Sequence, residues 1–121
     1  MSTALVVDDS ATDLEVIVTC LRQSGITVLT ASSGEEALVK LNNHTPDIIF
    51  LDVVMPGTSG FELCRELKNR AETRKIPVVI CSTKGTEMDK FWGLKQGADA
   101  YLPKPVDPSD IVRTTKQLLI V

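Results

Sequence analysis

The chain reads as an α/β domain in which strands and helices alternate and a parallel sheet is covered on both faces. Three observations predict this. Short apolar runs recur, among them Ala4-Leu5-Val6-Val7, Ile48-Ile49-Phe50-Leu51 and Val78-Val79-Ile80-Cys81; runs without polar alternation suit strands buried on both sides. The stretches between them carry helical periodicity, and that alternation implies right-handed crossovers. Acidic residues and one lysine stand at the ends of the runs, and functional groups of open α/β sheets collect beyond the carboxyl ends of the strands.

The first strand is expected near residues 4–8. The helix after it turns Leu14, Ile17, Val18 and Leu21 to one face; Thr12-Asp13-Leu14-Glu15 has capping-box form, and Gly25 suits its exit. A second, shorter strand covers Thr27 to Ala31. Ser33-Gly34-Glu35-Glu36 then caps a helix with Ala37, Leu38 and Leu41 inward, ending near Asn42-Asn43. The third and most apolar strand runs from Asp47 to Asp52. Ser59-Gly60-Phe61-Glu62 caps the third helix, which runs to about Asn69 with Phe61, Leu63, Cys64 and Leu67 apolar. Strand four covers Pro77 to Cys81, with proline at its first position, where a missing N–H costs little. Helix four starts at Thr86-Glu87-Met88-Asp89 and ends at Gly97; of its adjacent aromatics, Phe91 is expected inside and Trp92 partly exposed, facing a partner. Strand five is Ala100 to Leu102. Asp107 followed by Pro108 starts helix five, which carries Ile111, Thr115 and Leu118-Leu119 to the end of the chain.

With 121 residues, one domain spanning 1–121 is expected, with nothing left over for an output domain. A net charge of −3 and the lack of a basic stripe argue against a nucleic-acid partner. The apolar start is too short for a signal peptide or membrane span, so no membrane role and a cytoplasmic location are expected. The three cysteines show no Cys-x-x-Cys spacing and read as reduced, buried small hydrophobes; His44 reads as a solvated loop residue.

The chemistry lies at the strand ends. Asp8, Asp9 and Asp52 converge with Lys104 if the strands are parallel neighbours. Three carboxylates in one crevice repel unless a cation sits between them. An all-oxygen ligand set suits Mg²⁺, and a lysine beside it suits a phosphoryl group. As helix-end charges alone, Asp8 and Asp9 would only favour the helix dipole, which leaves their pairing at a strand end unexplained.

Val7-Asp8-Asp9, Leu51-Asp52-Val53-Val54-Met55-Pro56 with Gly60, Ser82-Thr83, Gly97-Ala98-Asp99-Ala100-Tyr101 and Lys104-Pro105 follow one another at a specific spacing. In this the chain resembles the receiver domains of bacterial two-component response regulators, over essentially its whole length, and specifically the stand-alone kind typified by the chemotaxis regulator. The resemblance implies a flavodoxin-like (βα)5 three-layer sandwich with strand order 2-1-3-4-5.

It also implies roles. Asp52 matches the phosphoacceptor, whose carboxylate attacks a phosphohistidine to give an acyl phosphate. Asp9 matches the direct Mg²⁺ ligand, Asp8 the neighbour acting through water, and the Val54 backbone carbonyl a further oxygen ligand. Lys104, Ser82 and the adjoining Thr83 fall at phosphoryl-binding positions, Ser82 and Tyr101 at switch positions, and Pro105 where a cis bond is common. Implied partners are a histidine kinase or phosphotransfer domain, and a downstream protein meeting the face of helix four, strand five and helix five. The domain then catalyses only its own phosphorylation and dephosphorylation. A receiver-fold scaffold that is never phosphorylated and a sink draining a shared kinase are the alternatives. The spacing of Ser82-Thr83-Lys84 with Phe91-Trp92-Gly93 is similar to regulators of pilus-driven motility.

Four positions depart from the commonest pattern. Ser82 stands for a more frequent Thr, and Thr83 for a small Ala, where its bulk crowds the inward path of Tyr101. Val54 offers no polar group to an attacking water, and Lys84 puts a cation at the mouth of the site; both favour a lasting phosphoryl group. A dehalogenase-like phosphatase would need an aspartate where Val54 stands. A flavin carrier would need a phosphate-cradling loop where Asp8 and Asp9 would repel the phosphate.

Overall fold

The computed structural model describes residues 2–119; residues 1, 120 and 121 of the expected domain lie outside the described residues. Ten elements alternate along the chain: β1 (Thr3–Val7), α1 (Ala11–Gln23), β2 (Thr27–Ala31), α2 (Gly34–Leu41), β3 (Ile48–Asp52), α3 (Gly60–Lys68), β4 (Val78–Ser82), α4 (Glu87–Lys95), β5 (Ala100–Pro103) and α5 (Pro108–Leu118). The five strands form one parallel sheet of order β2-β1-β3-β4-β5. Topology and class agree with the expectation, and element ends differ by a residue or two.

The sheet separates two cores, because successive strand residues point to opposite faces. Leu5, Val7, Ile49, Leu51, Val78 and Ile80 face α2 and α3, where Ala37, Leu63, Cys64 and Leu67 meet them. Ala4, Val6, Ile48, Phe50, Val79 and Cys81 face α1 and α5, meeting Ile17, Val18, Leu21 and Ile111. Burying each larger side chain contributes roughly 1.5–3 kcal/mol. β3 and β4 are buried along their whole length, so a charged group at the end of either is drawn into the protein. All three cysteines are free and buried, and His44 is exposed. Among the described residues no helix is long and apolar enough to cross a membrane.

The helix caps follow from short polar side chains. Ser33, Ser59 and Thr86 each accept the backbone N–H three residues on, and Thr86 with Asp89 completes a reciprocal capping box. Asp107 caps α5, with Pro108 following. For α1 the expectation was wrong: the N-cap is Ser10, which accepts the Asp13 N–H. Thr12 and Asp13 lie inside the first turn, because the helix begins two residues earlier than the capping-box pattern suggested.

α4 differs from the other helices. Its only buried residue is Gly93, and a Cβ there would lie 2.6 Å from the Tyr101 ring. Tyr101 therefore fills the place of a helix side chain. The burial expected for Phe91 is overturned: it is 55% exposed and Trp92 50%. Two residues span about 200° of a helix, so with Gly93 facing the sheet, Phe91 faces solvent. The two rings meet edge to face at 6.1 Å, and the Lys95 ammonium lies 5.7 Å from the Phe91 ring centre.

Candidate phosphoacceptor and metal site

The site forms where β1, β3 and β5 end. β1 and β3 pair directly, Val7 opposite Leu51, so Asp8 and Asp52 emerge side by side. Ligand oxygens of Asp8, Asp9 and Asp52 lie within 4.8 Å of one another. Asp8 and Asp52 are buried and Asp9 is exposed, which gives a crevice with one open side. Carboxylate oxygens at this spread, on a solvent-accessible edge, suit a hard cation that retains waters, as Mg²⁺ does.

Lys104 closes the buried side. It stands one residue past β5, and its backbone N–H donates to the Ser82 carbonyl at 2.8 Å. Its ammonium reaches Asp8 Oδ2 at 2.7 Å, Asp13 Oδ2 at 3.0 Å and Asp52 Oδ1 at 3.2 Å. The side chain is 5% exposed. The Lys104–Pro105 peptide is cis. The other Asp8 oxygen accepts the Ser10 N–H at 2.9 Å, so the strand end and the α1 cap share one carboxylate.

This environment shifts the ionisable groups. Burial, helped by the Asp8 charge, raises the Asp52 carboxyl from 3.8 to about 6, although Lys104 opposes the change. Burial draws the Lys104 ammonium toward neutrality, but bonds to Asp8 and Asp13 outweigh it and lift the group above an ordinary lysine. Beneath the site, burial pushes the Cys81 thiol up to about 12, which leaves it an inert core group. Burial also raises the Tyr101 phenol.

The loop after Asp52 is held from two sides. Gly60 opens α3 directly under it: its N–H donates to the Val53 carbonyl at 2.9 Å, and a Cβ there would overlap the Asp52 carbonyl. From α2, Glu35 accepts the Thr58 hydroxyl at 3.0 Å and the Thr58 N–H at 3.3 Å. Val54 is exposed, so its backbone, not its side chain, is what this loop can offer the crevice.

The remaining predicted residues form a second layer. Ser82 is buried and its Oγ accepts the Lys84 N–H at 3.0 Å. Thr83 and Lys84 are exposed. The Tyr101 hydroxyl donates to the Lys84 carbonyl, tying the β4–α4 loop to β5. Two residues escaped the sequence reading: Asp13, which reaches Lys104 across 91 positions, and Glu35. Asp13 lies four residues after Asp9, in the first turn of α1, and that closeness to the acidic pair is the signal that could have found it.

The model of the response regulator receiver domain family matches residues 4–116. Protein PilH of Pseudomonas aeruginosa is 41% identical over 119 residues, covering 98% of each chain. The phosphate regulon transcriptional regulatory protein PhoB of the same organism is 40% identical over 117 residues, but this chain spans 51% of its length. Among solved structures, chemotaxis response regulator CheY4 of Vibrio cholerae superposes with a TM-score of 0.91 at 31% identity, covering 98% of this chain and 99% of that one.

Proposed function

This chain belongs to the response regulator receiver family, a family of signalling modules and not of classical enzymes, and from that premise we propose that Asp52 is its phosphoacceptor. The observation that carries the reading is the buried Lys104 ammonium held 3.2 Å from Asp52 and 2.7 Å from Asp8, within a three-carboxylate cluster. An Asp52 oxygen attacks the phosphorus of a phosphohistidine on a kinase or phosphotransfer domain. The P–N bond breaks, the imidazole nitrogen keeps its electron pair, and an acyl phosphate forms.

Asp9, Asp52, the Val54 carbonyl and, through water, Asp8 would hold Mg²⁺, which when bound offsets charge on the transferring oxygens. Lys104 supplies a fixed positive charge to the same oxygens without reorganising. Only ionised Asp52 is a nucleophile, and its raised pKa leaves part of the metal-free population protonated near pH 6. Burial thus makes the acceptor dependent on a neighbouring cation.

The signal then leaves through α4, β5 and α5. Ser82 turns from the Lys84 N–H to the phosphoryl group, the β4–α4 loop follows, and the Tyr101–Lys84 bond is remade. A partner that reads this change must prefer one arrangement, typically by about 1–3 kcal/mol. The 41% identity with PilH over 119 residues supports a receiver of the pilus-motility type, and a cytoplasmic setting belongs to the same reading.

The test is direct. With Mg²⁺ and acetyl phosphate, the intact mass should rise by one phosphoryl group, and Asp52→Asn should remove the gain. Full labelling of the Asn variant would move the acceptor elsewhere.

A further inference from the structure

We infer that Asp13 is a positioning residue: it holds the Lys104 ammonium on the α1 side of the crevice and so keeps Asp52 available to a cation and to the phosphoryl group. The inference rests on the functional reading above and extends it to a residue outside the expected site.

An ammonium has three N–H donors and no acceptor. Here Asp8 and Asp13 accept two of them, at 2.7 and 3.0 Å, and Asp52 stands beside the ammonium at ion-pair distance, 3.2 Å. With the lysine side chain only 5% exposed, water is poorly placed to satisfy a donor that loses its partner. Asp13 is set firmly by the first turn of α1, where its N–H is bonded to the Ser10 cap. Its carboxylate is 42% exposed, so the hold is releasable. Beside it, a cavity of about 130 Å³ between α1 and the segment after β5 is lined by Asp13, Lys104 and Pro105, leaving room for the lysine to swing.

A helix-end charge would account for Asp13 lying in the first turn, but not for its aim at a buried lysine. Without Asp13, the donor it held turns to Asp52, and Lys104 then competes with a cation for the same oxygens. Removal of this negative charge and recapture of Asp52 act in the same direction on metal affinity.

The experiment compares wild type, Asp13→Asn, Asp13→Glu and Glu15→Gln, the last removing an equal charge from an exposed position of the same helix. Calorimetric titration with Mg²⁺ alone should show Asp13→Asn weakened about fivefold, with Asp13→Glu recovering most of the loss and Glu15→Gln close to wild type. In ¹⁵N-lysine spectra without metal, the Lys104 ammonium protons, identified by their loss in Lys104→Arg, should exchange at least about tenfold faster in Asp13→Asn, as protection is lost with the bond. Equal weakening in Asp13→Asn and Glu15→Gln, or unchanged ammonium exchange, would overturn the inference. Neither outcome touches the phosphoacceptor reading, which fails separately if wild type gains no phosphoryl mass.

Discussion

Two glycines that each lack room for a side chain separate the two working regions of this molecule. Gly60, at the start of α3, lies against the backbone carbonyl of Asp52, and Gly93, in the middle of α4, against the ring of Tyr101. Backbone in a buried strand cannot move aside; an aromatic ring on an edge strand can. The Asp52 end is therefore fixed by main-chain packing. The α4 end is closed by a side chain on an edge strand. α1 and α3 each bury several side chains, whereas α4 buries Gly93 alone. A rigid chemical site beside a lightly held helix is what a switch requires, since the movable part must be close in energy in its two positions.

The strongest challenge to this contrast is Gly60→Ala. Its methyl group has nowhere to go but into the Asp52 carbonyl, so stability in urea should fall by about 3 kcal/mol or more. A variant as stable as wild type would mean that the β3–α3 junction yields after all.

A smaller effect should come from Asp52 itself. Its carboxyl sits at about 6 in the fold against an ordinary 3.8, so between those values the native state keeps a proton that the unfolded chain releases. The cost of ionising Asp52 is absent below about pH 4, builds to pH 6 and is complete above it. Without metal, Asp52→Asn should melt above wild type at pH 7.5, and the gap should close by pH 4. A gap that widened on acidification would reverse the sign and remove burial as its cause.

Mg²⁺ should then offset the same repulsion. At ten times Kd, binding contributes about 1.4 kcal/mol, or roughly 3–5 °C in melting temperature for a domain of this size. Asp9→Asn should raise the metal-free melting point and erase the Mg²⁺ increment; an unchanged increment would take Asp9 out of the ligand set.

Gly93→Ala should change stability least. Alanine gains about 1 kcal/mol of helix propensity over glycine, which the displaced ring offsets. The change should appear instead as faster amide exchange in residues 84–86, once Tyr101 leaves the Lys84 carbonyl. Destabilisation as large as that of Gly60→Ala would erase the distinction between the two ends.

Much of this was legible in the sequence, for physical reasons. Apolar runs near residues 4–8, 47–52 and 77–81 could only be buried strands, and Ser33, Ser59 and Asp107 marked three helix starts. The acidic cluster and Lys104 were visible because each stands at the end of such a run. Asp13 was not, because its partner follows a strand whose neighbours depend on strand order. Thr12 was read as the α1 cap because Glu15 follows it at capping-box spacing, whereas the helix starts after Ser10, which accepts the Asp13 N–H. Phe91 was misplaced because an apolar residue in a helix usually sets the buried face. Here the buried face is set by a glycine, and the side chain filling it comes from β5.

Trp92 is the only tryptophan in the chain. It sits beside Gly93 with its ring half exposed and edge-on to Phe91. Its emission is thus a single-site optical gauge built into α4, across the sheet from the α1 side of the crevice. Light from this protein reports α4, and the carboxylates of the proposed acceptor site lie at the ends of other elements. One spectrum, taken as donor is added, times the reading separately from the writing.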